Sequence, residues 1–216
     1  MGVVCGSCAI GQPKIASEAI SITSQFGSSV QVRVFLEGSD GNEVTGARAS
    51  ATSPGGSVQT LGFNLQEGCY FGSFPESLSG TYKVNILSTL LGEQAKEVGV
   101  KHTVLDEAPS VTQCVDSDGH NGLLGQSLVA SEAVDIHWNP VGNATVYTIA
   151  VNQGAIQKWS TTTSDPLVSV PAGVLSAGNY TLQVNAQWIQ GDPYLQTSTT
   201  YSASQSIGSS VLMVLQ

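Results

Sequence analysis

The stretch from Cys114 to Asn121 carries side chains suited to binding a hard cation. Asp116 and Asp118 alternate along the chain, and Asn121 follows just after Gly119. Calcium prefers carboxylate and amide oxygens of this kind, but a complete EF-hand loop also needs a third ligand before its glycine and a distal glutamate. Asp-Ser-Asp-Gly is equally a good turn, because aspartate side chains accept hydrogen bonds from nearby backbone. The sequence therefore predicts an unoccupied turn or a calcium site at Asp116, Asp118 and Asn121, and no other cofactor.

The four cysteines are the second candidate for chemistry: Cys5, Cys8, Cys69 and Cys114. A redox Cys-x-x-Cys pair works at a helix N-terminus, and nothing helical follows Cys8. A zinc site built from four thiols would need a second Cys-x-x-Cys. Disulfides formed in an oxidising compartment are the favoured interpretation, with free buried thiols as the alternative, and all three pairings of the four stay open. A bridge from Cys5 or Cys8 to Cys114 would staple the N-terminal lead-in across a domain boundary.

Four aromatic residues are candidates for a ligand platform: Trp159, Trp188, Tyr194 and Tyr201. Aromatic faces beside amide groups suit stacking and polar contact with a sugar. The alternative is that these side chains fill the core. Exposure of at least two of them on one face would favour carbohydrate binding.

Composition excludes several functional classes. The net charge is −9 and the seven basic residues are scattered, so no nucleic-acid partner is expected. No apolar run approaches the ~20 residues of a membrane-spanning helix. Charged residues make up only 11 % of the chain, no Gly-x-Ser-x-Gly motif is present, and the histidines lack metal-ligand spacing. The sequence predicts that the chain is not an enzyme.

Apolar residues recur with the period of two that is typical of half-buried strands. The clearest case is Val30, Val32, Val34 and Leu36. Helix content should be small. Strands are predicted at 15–22, 29–36, 47–51, 58–65, 69–74, 81–87, 98–105, 127–138, 145–152, 155–161, 167–170, 179–188, 195–203 and 209–215.

Two similar stretches divide these strands into two sets. Leu78-Ser-Gly-Thr-Tyr82 and Leu175-Ser-Ala-Gly-Asn-Tyr180 each place a glycine-containing turn before a tyrosine that opens a strand. This is the pattern of a tyrosine corner, in which the hydroxyl bonds back to nearby backbone in a β-sandwich. The predicted fold is all-β, with two tandem sandwiches. Their predicted bounds are a lead-in at 1–14, a first sandwich at 15–105, a linker at 106–110 and a second sandwich at 111–216.

The second half resembles a fibronectin type III domain. The resemblance is carried by Trp138-Asn-Pro140, Ala144-Thr-Val-Tyr147 and Tyr180-Thr-Leu-Gln-Val-Asn-Ala186. It implies that Trp138 packs in the core. It transfers no binding residue, since the chain has no Arg-Gly-Asp loop.

The first half resembles immunoglobulin-like modules of bacterial secreted and surface proteins. The matching segments are Val44-Thr-Gly-Ala47, Ser53-Pro-Gly-Gly56, Gly68-Cys-Tyr70 and Gly80-Thr-Tyr82. That family usually carries an Asp-rich insert before its Gly-x-Tyr, and here only Gln66-Glu67-Gly68 is present. The resemblance implies an exported, non-catalytic module and names no ligand.

These observations predict a non-catalytic adhesion, interaction or spacer module of a secreted or cell-surface protein. Its expected partner is a protein or glycan at a cell surface, and the oligomeric state stays open. One alternative is a carbohydrate-binding accessory module of an extracellular hydrolase. Another is a self-assembling fibre or shell subunit that uses the last strand, 209–216, to pair with a neighbour. The N-terminal residues lack the basic and apolar regions of a secretory signal, so we expect a mature or truncated form of a longer precursor.

Overall fold

The computed structural model describes residues 15–87, 95–191 and 199–216, and the fold within them is all-β. A short 3-10 turn, Gly122–Leu124, is the one helical element among these residues. The strands are β1 (Ile15–Gln25), β2 (Val30–Gly38), β3 (Arg48–Thr52), β4 (Val58–Asn64), β5 (Cys69–Phe74), β6 (Gly80–Leu87), β7 (Ala95–His102), β8 (Val111–Asp116), β9 (Val134–Trp138), β10 (Val146–Gln153), β11 (Ile156–Thr163), β12 (Leu167–Val170), β13 (Gly178–Gly191), β14 (Thr199–Ile207) and β15 (Val211–Leu215).

The first sandwich packs two layers around one apolar core. The strands β1, β2, β5 and β4 form one layer, and β3, β6 and β7 form the other. The strand β4 belongs to both, since Val58–Leu61 pair with β3 and Gly62–Asn64 pair with β5. The inward side chains of β2 are those expected from its alternation. The core contains Ile20, Ile22, Val30, Val32, Val34, Leu36, Val44, Ala49, Ala51, Leu61, Tyr70, Phe74, Tyr82, Val84, Ile86 and Val100.

The second sandwich sets the three strands β8, β9 and β12 against the layer of β11, β10, β13, β14 and β15. Both β14 and β15 pair with β13, one after the other, with a break at residues 208–210. Trp138 lies in the core as the resemblance implied, with its ring centroid 5.3 Å from that of Tyr147 in an edge-to-face arrangement. Leu105, at the end of the stretch assigned to the first sandwich, packs in this second core.

Both predicted tyrosine corners are present. The Tyr82 hydroxyl donates to the Leu78 carbonyl at 3.0 Å, and the Tyr180 hydroxyl donates to the Ser176 carbonyl at 2.9 Å. Each ring is buried, so its hydroxyl needs a hydrogen-bond partner, and the turn carbonyl accepts that bond. The predicted fold class, all-β with two tandem sandwiches, is confirmed.

Two local predictions were wrong. Residues 111–116 form β8, which the sequence left unassigned, while the single strand expected at 127–138 divides into a short paired segment at 128–130 and β9. The last strand also lacks the free edge that pairing with a neighbour would need. It lies between β13 and the 128–130 segment, where Leu128 N donates to Val214 O at 2.9 Å.

We predict that Tyr180→Phe lowers the free energy of unfolding by about 1 kcal/mol, because the Ser176 carbonyl loses its donor while packing is kept. Urea unfolding measures the difference. The exposed strand position Thr162 gives a control, and Thr162→Ala should change stability by less than about 0.5 kcal/mol. A Tyr180→Phe variant as stable as the control would contradict a role for the corner.

Candidate functional site at the seam of the two sandwiches

The two sandwiches share one continuous sheet. Seven residues of β1, Ala19 to Gln25, pair in parallel with β14 from Thr199 to Gln205. We call these two paired segments the seam. Because of it, the strand order runs without interruption from β11 in the second sandwich to β7 in the first. The sequence predicted only a linker between the two units.

Backbone hydrogen bonds show how the seam is built. Phe26 N donates to Gln205 O at 2.7 Å and closes the ladder at one end. Successive residues of a strand turn their backbone groups to opposite sides. The N–H and C=O groups of even-numbered β1 residues therefore point toward β14, and those of odd-numbered residues point toward β2. By the same alternation, Ala203 and Gln205 turn their backbone groups toward β1.

A buried histidine joins three strands behind the seam. His102, at the end of β7, contacts the Ser24 hydroxyl through Nε2 at 2.9 Å and the Ser202 hydroxyl through Nδ1 at 2.8 Å. Its ring is fully buried and stands edge-to-face with Tyr82 and Trp188, with centroids 5.9 and 6.0 Å away. Burial lowers the pKa of His102 from 6.5 to about 4, so the imidazole is neutral at pH 7. One ring nitrogen then donates and the other accepts, and serine hydroxyls can serve both.

The inward row of β14 is small and polar. Ser202, Ser204 and Ser206 are buried, where strands of the two cores carry valine or isoleucine. Within the described residues, the hydroxyls of Ser204 and Ser206 have no hydrogen-bond partner. Their short side chains let β14 lie beneath β7 at the point where the two cores meet.

The opposite side of the same strands forms an uncharged surface, which we call the outer face. Its positions on β10, β13, β14 and β1 carry hydroxyl, amide and aliphatic side chains, together with one tyrosine. They are Val146, Thr148, Ala150, Asn152, Gln183, Asn185, Gln187, Ile189, Tyr201, Ala203, Gln205, Ile207, Thr23 and Gln25. Ala19 and Ser21 lie on the same side of β1 but are buried. None of these positions carries an aspartate or glutamate, although the net charge of the chain is −9.

A depression of about 160 Å³ lies on the outer face, over the short side chain of Ala203. Tyr201 and Gln205 border it along β14, and Ile189 and Thr23 flank it on the neighbouring strands. The groups around it can donate and accept hydrogen bonds beside one aromatic ring.

A wider hollow of about 580 Å³ opens at one end of the first sandwich. Leu61, Phe63 and Leu87 line it with apolar carbon, and Arg48 and Tyr70 are the ionisable groups among the described residues of its wall. The Tyr70 hydroxyl is already held by the backbone of Val44 and Ala47. The wall therefore presents no acid and base pair.

The predicted calcium ligands serve other contacts. Both Asp116 oxygens accept hydrogen bonds, one from His120 N and the other from Val129 N and His120 Nδ1, all within 2.9 Å. Burial alone would raise the pKa of Asp116, but these bonds outweigh burial and lower it. Asn121 Oδ1 accepts from Leu123 N and caps the 3-10 turn, while Asp118 is exposed. No group of three metal-ligating residues occurs in the described part of the chain. Calcium binding stays a prediction, and these bonds already use three of the roughly four acceptor positions of the Asp116 carboxylate.

Two of the four residues predicted for an aromatic platform lie away from the outer face. Trp188 faces inward beside His102, and Trp159 packs against the second core. Tyr194 lies outside the described residues. Tyr201 alone of the three described rings lies on the outer face, where burial raises its pKa.

Cys69 and Cys114 are buried free thiols, so the disulfides predicted for them are absent. Cys114 Sγ lies 3.5 Å from Met213 Sδ in the second core, whereas Cys69 lies beside Glu67 in the first sandwich. Burial raises the pKa of each thiol to about 11, which keeps it protonated and unreactive at neutral pH. Cys5 and Cys8 lie outside the described residues.

Sequence reasoning missed His102, although a signal for it was present. Val98, Val100 and His102 alternate along β7, which places the imidazole on the inward side with the valines. A histidine in an inward series marks a polar contact in the core. Which strands supply that contact cannot be read from β7 alone.

Comparisons with known proteins give structural likeness only. No protein-family model matches the chain, and no curated protein matches it. A cytokine receptor complex is similar at 11 % identity, covering 90 % of this chain and 95 % of its own, with a TM-score of 0.42. The chicken CNTN1 FN1-FN3 domains are similar at 9 % identity over 94 % of this chain and 65 % of theirs, with a TM-score of 0.47. Fibronectin(III)-like modules of Clostridium thermocellum CbhA are similar at 14 % identity over 91 % of this chain and 94 % of theirs, with a TM-score of 0.39. The fold assignment rests on the strand pairing described above.

We predict that acid lowers the free energy of unfolding by protonating His102. Its folded-state pKa lies below the unfolded value, so the unfolded chain binds the proton more tightly. The neutral ring's contribution to the free energy of unfolding is complete above pH 6.5. It is lost as the pH falls to about 4, a change of about 3 kcal/mol.

Urea unfolding between pH 7.5 and 4 measures this loss, with His102→Gln as the control that keeps hydrogen bonding but cannot titrate. The wild type should lose more stability than the variant over that range. Stability curves that run parallel across the whole range would contradict the assignment.

Proposed function

We propose that this chain is a non-catalytic interaction and spacer segment of an exported or cell-surface protein. The seam is the observation that carries the proposal. A linker alone would let two sandwiches move independently, whereas seven paired residues in a shared sheet fix their relative position. A fixed pair of modules suits a part that holds other groups at a set distance.

The direction of the strands supports the spacer role. Gln25 lies beside Gln205; β1 runs back from there to Ile15, while β14 and β15 run on to Leu215. At about 3.3 Å per residue, these two ends lie on the order of 60 Å apart along the strand direction. Within the described residues, no helix is long and apolar enough to cross a membrane. The low charge content and the partial sequence resemblances favour export.

The spacer proposal predicts that both sandwiches tumble as one body. NMR relaxation of backbone ¹⁵N should fit a single rotational diffusion tensor for the two core regions. Ser202→Arg should release them, because it forces a charge into the buried side of the seam. Ser169→Arg, at an exposed position of β12, is the matched control and should leave the single tensor unchanged. Independent tumbling of the unmodified chain would overturn the proposal.

The depression beside Tyr201 favours a second candidate, a carbohydrate-binding accessory module. Neutral sugars present hydroxyl groups that both donate and accept, which matches the amides and hydroxyls around Ala203. An uncharged face offers no counter-charge to an ionic partner. The half-buried ring of Tyr201 adds an aromatic contact. The residues that carry this candidate are those of the outer face, and Tyr201 is the one among them that the sequence also singled out.

Titration with neutral oligosaccharides, followed by amide chemical shifts, tests this candidate. Shifts should cluster on residues around Ala203, and Tyr201→Ala should weaken binding roughly tenfold. Thr148→Ala, elsewhere on the outer face, should leave the affinity unchanged. Shifts that are absent or scattered over the surface would remove the candidate.

A further inference from the structure

We propose that the seam bears mechanical load: tension between the N-terminal side of β1 and the C-terminal end of β15 is carried by the β1–β14 hydrogen bonds in shear. This inference rests on the proposed spacer function and adds to it a reason for the parallel pairing. The direction of each strand, its neighbours and the side chains behind the seam support it.

Strand direction decides how the bonds are loaded. The strands β1 and β14 point the same way, so a pull on the start of β1 and on the far end of β15 draws them in opposite directions along their length. Backbone bonds between the strands run across that direction, and all of them share the load at once. A hairpin pulled apart from its open end, in contrast, breaks one bond at a time.

The path of the force passes through few elements. Tension enters β1, crosses the seam to β14 and leaves through β15. Most of both cores comes from the chain between Phe26 and Gly191, which lies off this path while the seam holds; β1 adds Ile20 and Ile22, and β15 adds Met213 and Leu215. The seam must therefore fail before either core is extended.

The strands on the path are held on both sides. Between the seam and Leu215, β14 and β15 pair with β13, and β15 also bonds the backbone of Leu128. On the other side, β1 pairs with β2 from Ile15 to Ser24. The load cannot peel either strand from a free edge.

His102 strengthens the same junction through side chains. Its two nitrogens contact Ser24 of β1 and Ser202 of β14, so one imidazole ties together the strands that tension would slide apart. Because the ring is fully buried, water cannot readily take the place of these two bonds as the strands begin to move.

Single-molecule force spectroscopy on the full chain tests the proposal by changing the direction of pull. In the first arrangement, handles are attached at the two chain ends. In the second, the C-terminal handle is moved to an azide-bearing residue at the exposed position Thr200, which pairs with Ile20 near the start of the seam. The second arrangement pulls across the seam and opens it bond by bond, so its unfolding force should be lower, roughly by half or more.

A pair of variants at Ala203 tests the bonds themselves. Ala203→Pro removes an amide that faces β1, and its half-exposed side chain lies outside both cores. It should lower the force needed from the chain ends toward the value measured at Thr200. Ala203→Ser keeps the amide and should unfold at the wild-type force. If Ala203→Pro does not fold, the two pulling directions on the unmodified chain decide the matter.

Equal forces in the two directions, or equal forces for the two Ala203 variants, would overturn load bearing. The relaxation measurement separates this failure from failure of the spacer proposal. A chain that tumbles as one body but shows no directional force keeps the spacer function and loses only the load-bearing one. A chain whose sandwiches tumble separately loses both.

Discussion

The architecture depends on the hydrogen bonds between β1 and β14. An unpaired strand at the edge of a sheet exposes backbone groups that can pair with another chain. Here each sandwich covers the edge of the other, and one sheet replaces two. This arrangement brings the neutral ring of His102 into contact with hydroxyls from two further strands, and it sets the outer face and the Tyr201 depression across both units. The proposed spacer and glycan-binding roles both follow from that geometry.

Features encoded by local patterns could be predicted from the sequence. The alternation in β2 and the glycine before each corner tyrosine are properties of a few neighbouring residues, and β2 and both corners were found. Trp188 could have been placed as well, because Tyr180, Leu182, Val184 and Ala186 precede it on the inward side of β13. The seam could not, since it joins segments about 180 residues apart and no local pattern names the partner of an edge strand.

Polar side chains illustrate how one sequence pattern serves two purposes. An aspartate that could bind calcium and an aspartate that orders a turn look the same in the sequence. In the structure Asp116 accepts three hydrogen bonds, including two from His120, and so holds residues 116–129 together. The cysteines show the same ambiguity. Cys114 and Cys69 fill space in separate sandwiches, where burial makes a thiol behave as a small apolar group.

The distance along the chain between the two halves of the seam has a consequence for synthesis. A ribosome releases β1 long before β14, so the first sandwich emerges with one edge uncovered and with His102 lacking Ser202. Contacts of such high sequence separation form slowly, and the first sandwich waits for the last tenth of the chain. During that interval, β1 of one molecule can accept β14 from another, which would give an exchanged dimer. Because of the order of translation, the edge of β1 stays uncovered until β14 has been synthesised.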